Sequence, residues 1–164
     1  MQIRRATVAD AEAIERIRIR GWQVGYRHIF PPEELDKLPV DWSRWFDWLT
    51  TAQETGQACF VAEDTDGMLG WSNVGPSAFP DHYGELHGLY VDPDRWGQGA
   101  GRELLARAEA WLAEQWDEAI LWTLTDNPRA RRFYEAAGWR LDGTIGSFDR
   151  LGVSAPVVRY AKRL

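Results

Sequence analysis

Apolar and polar positions alternate along this chain with two different periods, and the changes of period mark its elements. Ile3 to Ala6 reads as a short strand. Ala13, Ile14, Ile17 and Trp22 then fall on one stripe with arginines opposite, which predicts a helix that begins near Ala9 behind a Thr7/Asp10 capping pattern and ends between Gly21 and Gly25. After the break at Pro31-Pro32, Trp42, Trp45, Phe46 and Leu49 recur at helical spacing and predict a second helix that turns these four inward. The β-rich alternation of Ala58 to Ala62, the Asp66-Gly67 turn and the return from Met68 to Val74 predict an antiparallel hairpin. Pro76 to Gly84 reads as a loop, and Leu86 to Val91 as a strand stopped by Asp92-Pro93. Helical spacing returns at Leu104, Leu105, Ala108, Trp111 and Leu112. Ala119 to Leu124 reads as a strand, Pro128 to Ala137 as a helix closed by Gly138, and Trp139 to Leu141 and Val157 to Tyr160 as the last strands. The order is βααββ followed by βαβαββ, without repeat or linker, so the expectation is one α+β domain over residues 1–164.

Composition narrows the class. A length of 164 residues suits one domain of ordinary size, able to bury about 70% of the surface its unfolded chain exposes. With 45% hydrophobic and 27% charged residues it reads as a globular protein. The net charge of −6 and pI near 5.1 argue against a nucleic-acid partner and favour a cationic one. Cys59 is alone, which excludes an intramolecular disulfide and a Cys-based metal site, and it reads as a small buried hydrophobe. A reducing cytoplasm is the expected compartment. The first residues lack the apolar run of a signal peptide, and no stretch approaches the roughly 18 apolar residues of a membrane span. Most of the ten tryptophans are expected in the core, with some lining a pocket. The oligomeric state is open, a homodimer included.

The most informative local feature is the run Gly97-Gln98-Gly99-Ala100-Gly101 between a strand and a helix. Such a turn presents unpaired N–H groups and the positive end of a helix dipole, and its natural guest is a phosphate. Arg102 stands where a dinucleotide fingerprint would need its third glycine, and no Gly-Lys-Ser/Thr follows, so neither the Rossmann nor the Walker loop fits. Close backbone approach of a pyrophosphate remains open.

Two segments carry a family resemblance over essentially the whole chain. Residues 86–105 resemble the acetyl-CoA motif of the GNAT superfamily of acyl-CoA N-acyltransferases, written Gln/Arg-x-x-Gly-x-Gly/Ala. Residues 125–139, with Asn127, Ala130, Phe133, Tyr134 and Gly138, resemble that family's later Asn-x-x-Ala…Phe-Tyr-x-x-x-Gly-Phe motif. The resemblance implies a mixed, largely antiparallel twisted sheet with helices on both faces. It also implies acetyl-CoA as co-substrate, with no metal. The pantetheine arm is implied along Leu89, Tyr90 and Val91, and the phosphates on Trp96, Gly97, Gln98, Gly99, Ala100 and Gly101, with Arg102 in reach. Asn127 is implied to bond the cofactor, and it equally suits helix capping before Pro128. Tyr134 matches the tyrosine beside the sulfur. Trp96 departs from the motif's Gln or Arg. Arg129, Arg131 and Arg132 read as a solvated helix face, with a contact to the cofactor as the alternative.

Acetylating an amine requires a neutral amine, a donor for the developing oxyanion and something to receive the departing thiolate. By resemblance the Val91 N–H is the oxyanion donor and Tyr134 serves the sulfur. Full transfer of a phenol proton to a thiolate runs uphill by about 2 kcal/mol, so hydrogen-bond donation matters as much. For the base, the position five residues before Asn127, used by the branch that acetylates ribosomal-protein N-termini, is Trp122, which cannot accept a proton. The position used by the histone-acetylating branch falls on Glu85, with His87 on the same strand face as second choice. Residues 1–84 carry 8 basic and 13 acidic side chains, and by resemblance they build much of the acceptor side. Trp22, Tyr26 and the 29–38 segment, read as a loop, are candidate acceptor contacts together with Glu85, and an aromatic, acidic rim suits a small cationic amine. Direct attack in a ternary complex is the implied route. A protein N-terminus or lysine is the competing acceptor, and a non-catalytic CoA- or nucleotide-binding module the competing class.

Overall fold

The alternating segment at 58–62 lies inside a seven-stranded sheet in the computed structural model, which describes residues 1–78 and 82–164. The elements are β1 (Gln2–Arg5), α1 (Ala11–Gly25), α2 (Pro32–Asp36), α3 (Ser43–Thr51), β2 (Ala58–Asp64), β3 (Gly67–Pro76), β4 (Gly84–Val91), α4 (Ala100–Leu112), β5 (Glu118–Leu124), α5 (Pro128–Ala136), β6 (Arg140–Arg150) and β7 (Val153–Arg163). The strand order is β1-β2-β3-β4-β5-β7-β6, and every pair is antiparallel except β4 with β5. This is the expected α+β architecture. Of the 76–84 loop, residues 79–81 lie outside the described residues, and its ends are taken up by β3 and β4.

Alternation along the strands sorts the core into two layers. Phe60, Val74, Leu86 and Leu121 face α4 and α5, meeting Leu104, Leu105, Tyr134 and Trp139. Cys59, Val61 and Trp71 face the other way, against Ile14 and Ile17 of α1 and Trp45 of α3. Trp71 is 2% exposed, and its indole N–H donates to the Ile14 carbonyl at 2.9 Å, so one side chain both fills the layer and fixes α1 to the sheet. Burial pushes the Cys59 thiol up, as befits an inert hydrophobe.

Several expectations change on inspection. The α3 stripe is narrower than its spacing suggests: Trp45 is buried while Trp42 and Phe46 are 42% and 43% exposed and pack on each other. Leu49 packs inward as expected, and Trp48 joins it in place of Trp42 and Phe46. The 29–38 segment contains the short helix α2, started by Pro32 at its first position. The last two strands are each 11 residues long, because they form a hairpin on the sheet edge around Leu151 and Gly152, both at positive φ. β6 is exposed along nearly its whole length, so the apolar signal marks only its start. Of the ten tryptophans, Trp22, Trp45, Trp71, Trp111 and Trp139 are buried, and Trp48 and Trp116 pack partly buried against the core, so most serve it as expected.

The feature that positions the site is a fork in the sheet. β4 and β5 pair only at Gly84, Glu85 and Leu86, opposite Ala119, Ile120 and Leu121. On its other side β4 carries a bulge: Leu86 opposes Val74 and Gly88 opposes Asn73, which leaves His87 as the extra residue. A bulge bends its strand. Beyond it β4 keeps its pairing to β3 through Val91 but makes none to β5.

Candidate active site

The fork opens into a cleft of about 1310 Å³. β4 contributes His87, Leu89, Tyr90 and Val91, the following loop contributes Trp96 to Arg102, and α5 with its preceding turn contributes Asn127 and Tyr134. Trp22 and Tyr26 of the α1 end lie on the opposite wall. Every residue named from the sequence for cofactor binding lies on this one surface. The unpaired edge of β4 carries N–H and C=O groups that want partners.

At the loop, Gly97 and Gly99 sit at φ +80° and +91°, a conformation that favours glycine, and a Cβ at either would meet nothing within 4 Å. The loop backbone is therefore bare on its open side. Gly99 is the N-cap of α4 and offers no side chain to bond the first amides of the helix, which stay free for an anion. Ala100 is 1% exposed and anchors the turn to the core. Arg95 bonds Asp64 and the Gln98 side chain, so neither group is free. Trp96 donates its indole N–H to the Val91 carbonyl at 2.8 Å, closing the loop onto the strand it leaves.

On the α5 side, Asn127 accepts the Ala130 N–H at 3.2 Å, a helix cap, while its side chain also borders the cleft. Tyr134 is 8% exposed, and its ring packs on Phe133, Trp139 and Tyr160. Burial raises its phenol above the ordinary value, and among the described residues no hydrogen-bond partner holds the hydroxyl. The arginine face of this helix is not simply solvated. Arg131 donates to the Tyr160 hydroxyl and the Thr125 carbonyl, and Arg129 lies flat on the Trp96 ring.

Glu85 and His87 share the α1 face of β4, with His87 Nδ1 3.4 Å from Glu85 Oε1. The bulge keeps them together at the foot of the fork. Glu85 is 9% exposed and its Oε2 has no partner among the described residues, an arrangement that costs free energy unless a donor arrives. His87 borders the cleft, whereas Glu85 stands behind it. Trp122 is on the neighbouring strand with the Arg159 guanidinium 5.8 Å from its ring.

The α1 side of the cleft is aromatic. Trp22 stacks on Phe30 at 5.8 Å with an interplanar angle of 9°, meets Phe148 edge-on at 5.8 Å, and donates to the Tyr90 hydroxyl at 3.0 Å. Burial holds the Tyr26 phenol well above its ordinary value. His28, also on the wall, bonds the Asp126 carbonyl through Nε2 at 2.7 Å and ties the α1–α2 turn to the turn before α5. Phe148 and His28 were not singled out by the sequence. Phe148 comes from the far end of the chain through the β6–β7 hairpin, and no local spacing announces that contact.

Residues 16–139 match the acetyltransferase (GNAT) family. An uncharacterized N-acetyltransferase of Bacillus subtilis is 31% identical over 138 residues, covering 82% of this chain and 77% of that protein. Among solved structures, the ribosomal-protein-alanine N-acetyltransferase of Brucella melitensis superposes with a TM-score of 0.81 at 24% identity, over 100% of both chains. YncA, a putative acetyltransferase of Salmonella typhimurium solved with acetyl-CoA, superposes with a TM-score of 0.79 at 21% identity, over 99% of this chain and 93% of the other. Among the described residues no helix is long and apolar enough to cross a membrane.

Proposed function

Because this chain belongs to the acetyltransferase (GNAT) family, we propose that it moves an acetyl group from acetyl-CoA to the primary amine of a small cationic acceptor, by direct attack within a ternary complex. The observation that carries this reading is the fork between β4 and β5, with a side-chain-free glycine loop at its mouth. A flat, amide-rich arm can pair with the β4 edge at Leu89 to Val91, and a pyrophosphate can sit on the amides of 97–101. The co-substrate supplies an activated thioester; the chain supplies position and protons. The Val91 N–H is directed at the carbonyl oxygen, and the Tyr134 hydroxyl, without a partner among the described residues, donates to the sulfur.

Glu85, with His87 as the alternative, takes the proton from the incoming ammonium. Support comes from the unpartnered Oε2 and the 3.4 Å approach of His87, which together make a proton-accepting pair behind the cleft wall. Trp22 and Tyr26 form the acceptor wall, whose aromatic rings suit a cation, while the described residues lining the cleft include no aspartate or glutamate, so the acidic rim expected from the sequence is not found there.

Melting in the presence of ligands tests the reading. CoA and acetyl-CoA are expected to raise the melting temperature, with ATP and NAD leaving it unchanged. A Gly99→Glu variant, which puts a carboxylate into the loop, is expected to fold and lose the CoA shift. Stabilisation by ATP alone would move the loop to a nucleotide-binding role.

A further inference from the structure

Trp96 stands where the family motif places a Gln or Arg, so the loop lacks one polar side chain aimed at the cofactor phosphates. A cation nonetheless reaches the same place from another element. The Arg129 guanidinium carbon lies 3.3 Å from the centroid of the Trp96 ring, and both residues border the cleft. We propose that Arg129, laid flat on Trp96, is the side-chain arm of the phosphate cradle, reaching from the first turn of α5 to grip the pyrophosphate that the 97–101 amides hold from below. This rests on the acetyl-CoA reading above.

Three observations point this way. First, the platform is held: the Trp96 indole N–H is fixed to the Val91 carbonyl at 2.8 Å, which orients the ring that Arg129 rests on before a ligand arrives. Stacking uses the π face of the guanidinium and leaves its in-plane N–H donors directed outward, the geometry that recognises phosphate in a bidentate way.

Second, Arg129 has no acidic partner among the described residues, while Arg95, Arg20 and Arg131 are engaged; Arg102, also on the cleft, has none either but does not rest on the Trp96 ring. Arg95 bonds Asp64, Arg20 bonds Asp92 and Asp94, and Arg131 bonds the Tyr160 hydroxyl. Third, contact with the indole and the cleft wall removes water from the cation, and this desolvation lowers its pKa from the ordinary arginine value, the opposite of the rise seen at the paired Arg20 and Arg131. A cation desolvated without an anion is completed by one.

The test is calorimetric titration of the wild type and of Arg129→Ala, Trp96→Ala and Arg102→Ala with CoA, with dephospho-CoA, which lacks only the ribose 3′-phosphate, and with pantetheine, which lacks every phosphate. Arg129→Ala is expected to weaken CoA and dephospho-CoA equally, by about tenfold or more, and to leave pantetheine unchanged. Trp96→Ala is expected to weaken both phosphorylated ligands too, and adding Arg129→Ala to it should cost less than in the wild type, since the platform is already gone. Unchanged CoA affinity in Arg129→Ala overturns the assignment, as does a loss confined to Arg102→Ala. A loss seen with CoA but not with dephospho-CoA also overturns it, because Arg129 would then read the 3′-phosphate. A wild type that binds none of the three ligands sinks the acetyl-CoA reading itself, and the proposal with it.

Discussion

The indole N–H of Trp22 donates to the hydroxyl of Tyr90 at 3.0 Å, joining the last turns of α1 to the stretch of β4 that has parted from β5. An indole N–H can only donate, so the Tyr90 oxygen accepts, and the position of its own proton is thereby restricted to the other side of the oxygen. The bond couples the acceptor wall to the strand proposed to carry the cofactor arm.

Trp22→Phe keeps a ring against Phe30 and Phe148 and removes the donor. It is expected to cost about 1 kcal/mol in stability, the value of one neutral hydrogen bond. KM for the amine should rise more than KM for acetyl-CoA. Denaturant melts and two-substrate kinetics check both; an equal rise in the two constants would place Trp22 in the core alone.

Tyr134→Phe removes a hydroxyl that bonds nothing in the described protein, so the melting temperature is expected to hold within about 2 °C. Turnover should fall by about 10²-fold if the hydroxyl serves the sulfur. Burial raises the phenol above its ordinary value, so it stays protonated up to about pH 10, and an alkaline fall in rate, if seen below that, is not expected to vanish in the variant. Its disappearance would show that Tyr134 titrates within the working range.

Tyr134 also shows what the sequence could and could not reveal. Its place in a short motif before Gly138 was readable, as were the helix spacing of α4 and the glycine loop, because each is a local pattern. What was not readable depends on distant partners. The bulge at His87 exists only through the register with Asn73 and Val74, and it bends β4 at the point where pairing to β5 ends. The Trp96–Arg129 stack joins two segments whose local signals read as a motif departure and a solvated face. α2 is five residues long, too short for a period to emerge, and β6 lies exposed on the sheet edge, where no alternation is required. Trp42 and Phe46 keep helical spacing with Trp45 yet stay outside, because spacing defines a stripe and not how much of it is covered.

The pair Glu85/His87 decides the proton path. Glu85→Gln preserves size and removes basicity, and the rate with the best amine is expected to drop by about 10²-fold or more. The acid limb of the pH–rate profile should disappear in the variant that loses the base. Loss of that limb in His87→Ala, with Glu85→Gln still active, would transfer the role to His87. Persistence of the limb in both would mean that the amine sheds its proton through water.

The α1 layer holds a dry ion pair. Arg18 bonds Glu15 at 2.6 and 2.8 Å, with side chains only 10% and 3% exposed, and Trp45 donates to the same carboxylate at 2.8 Å. Glu15→Gln leaves the guanidinium without its counter-charge and is expected to destabilise the fold by about 3 kcal/mol. Pairing it with Arg18→Met should recover part of that loss, as urea denaturation would show. A cost below about 1 kcal/mol for the single variant would mean that water reaches the pair.

The most direct test of the central claim, acetyl transfer at the β4–β5 fork, follows thiol release from acetyl-CoA across a panel of polyamines, amino acids, amine-bearing antibiotics and peptides with free N-termini, with the acetylated product identified by mass. The account predicts amine-dependent release, one thiol per N-acetyl group formed, fastest with a small cationic amine and strongly reduced in Tyr134→Phe. Release confined to the peptides would contradict the small-amine assignment; no amine-dependent release with any acceptor, from a protein that binds acetyl-CoA, would contradict the claim that the fork catalyses acetyl transfer to these amines.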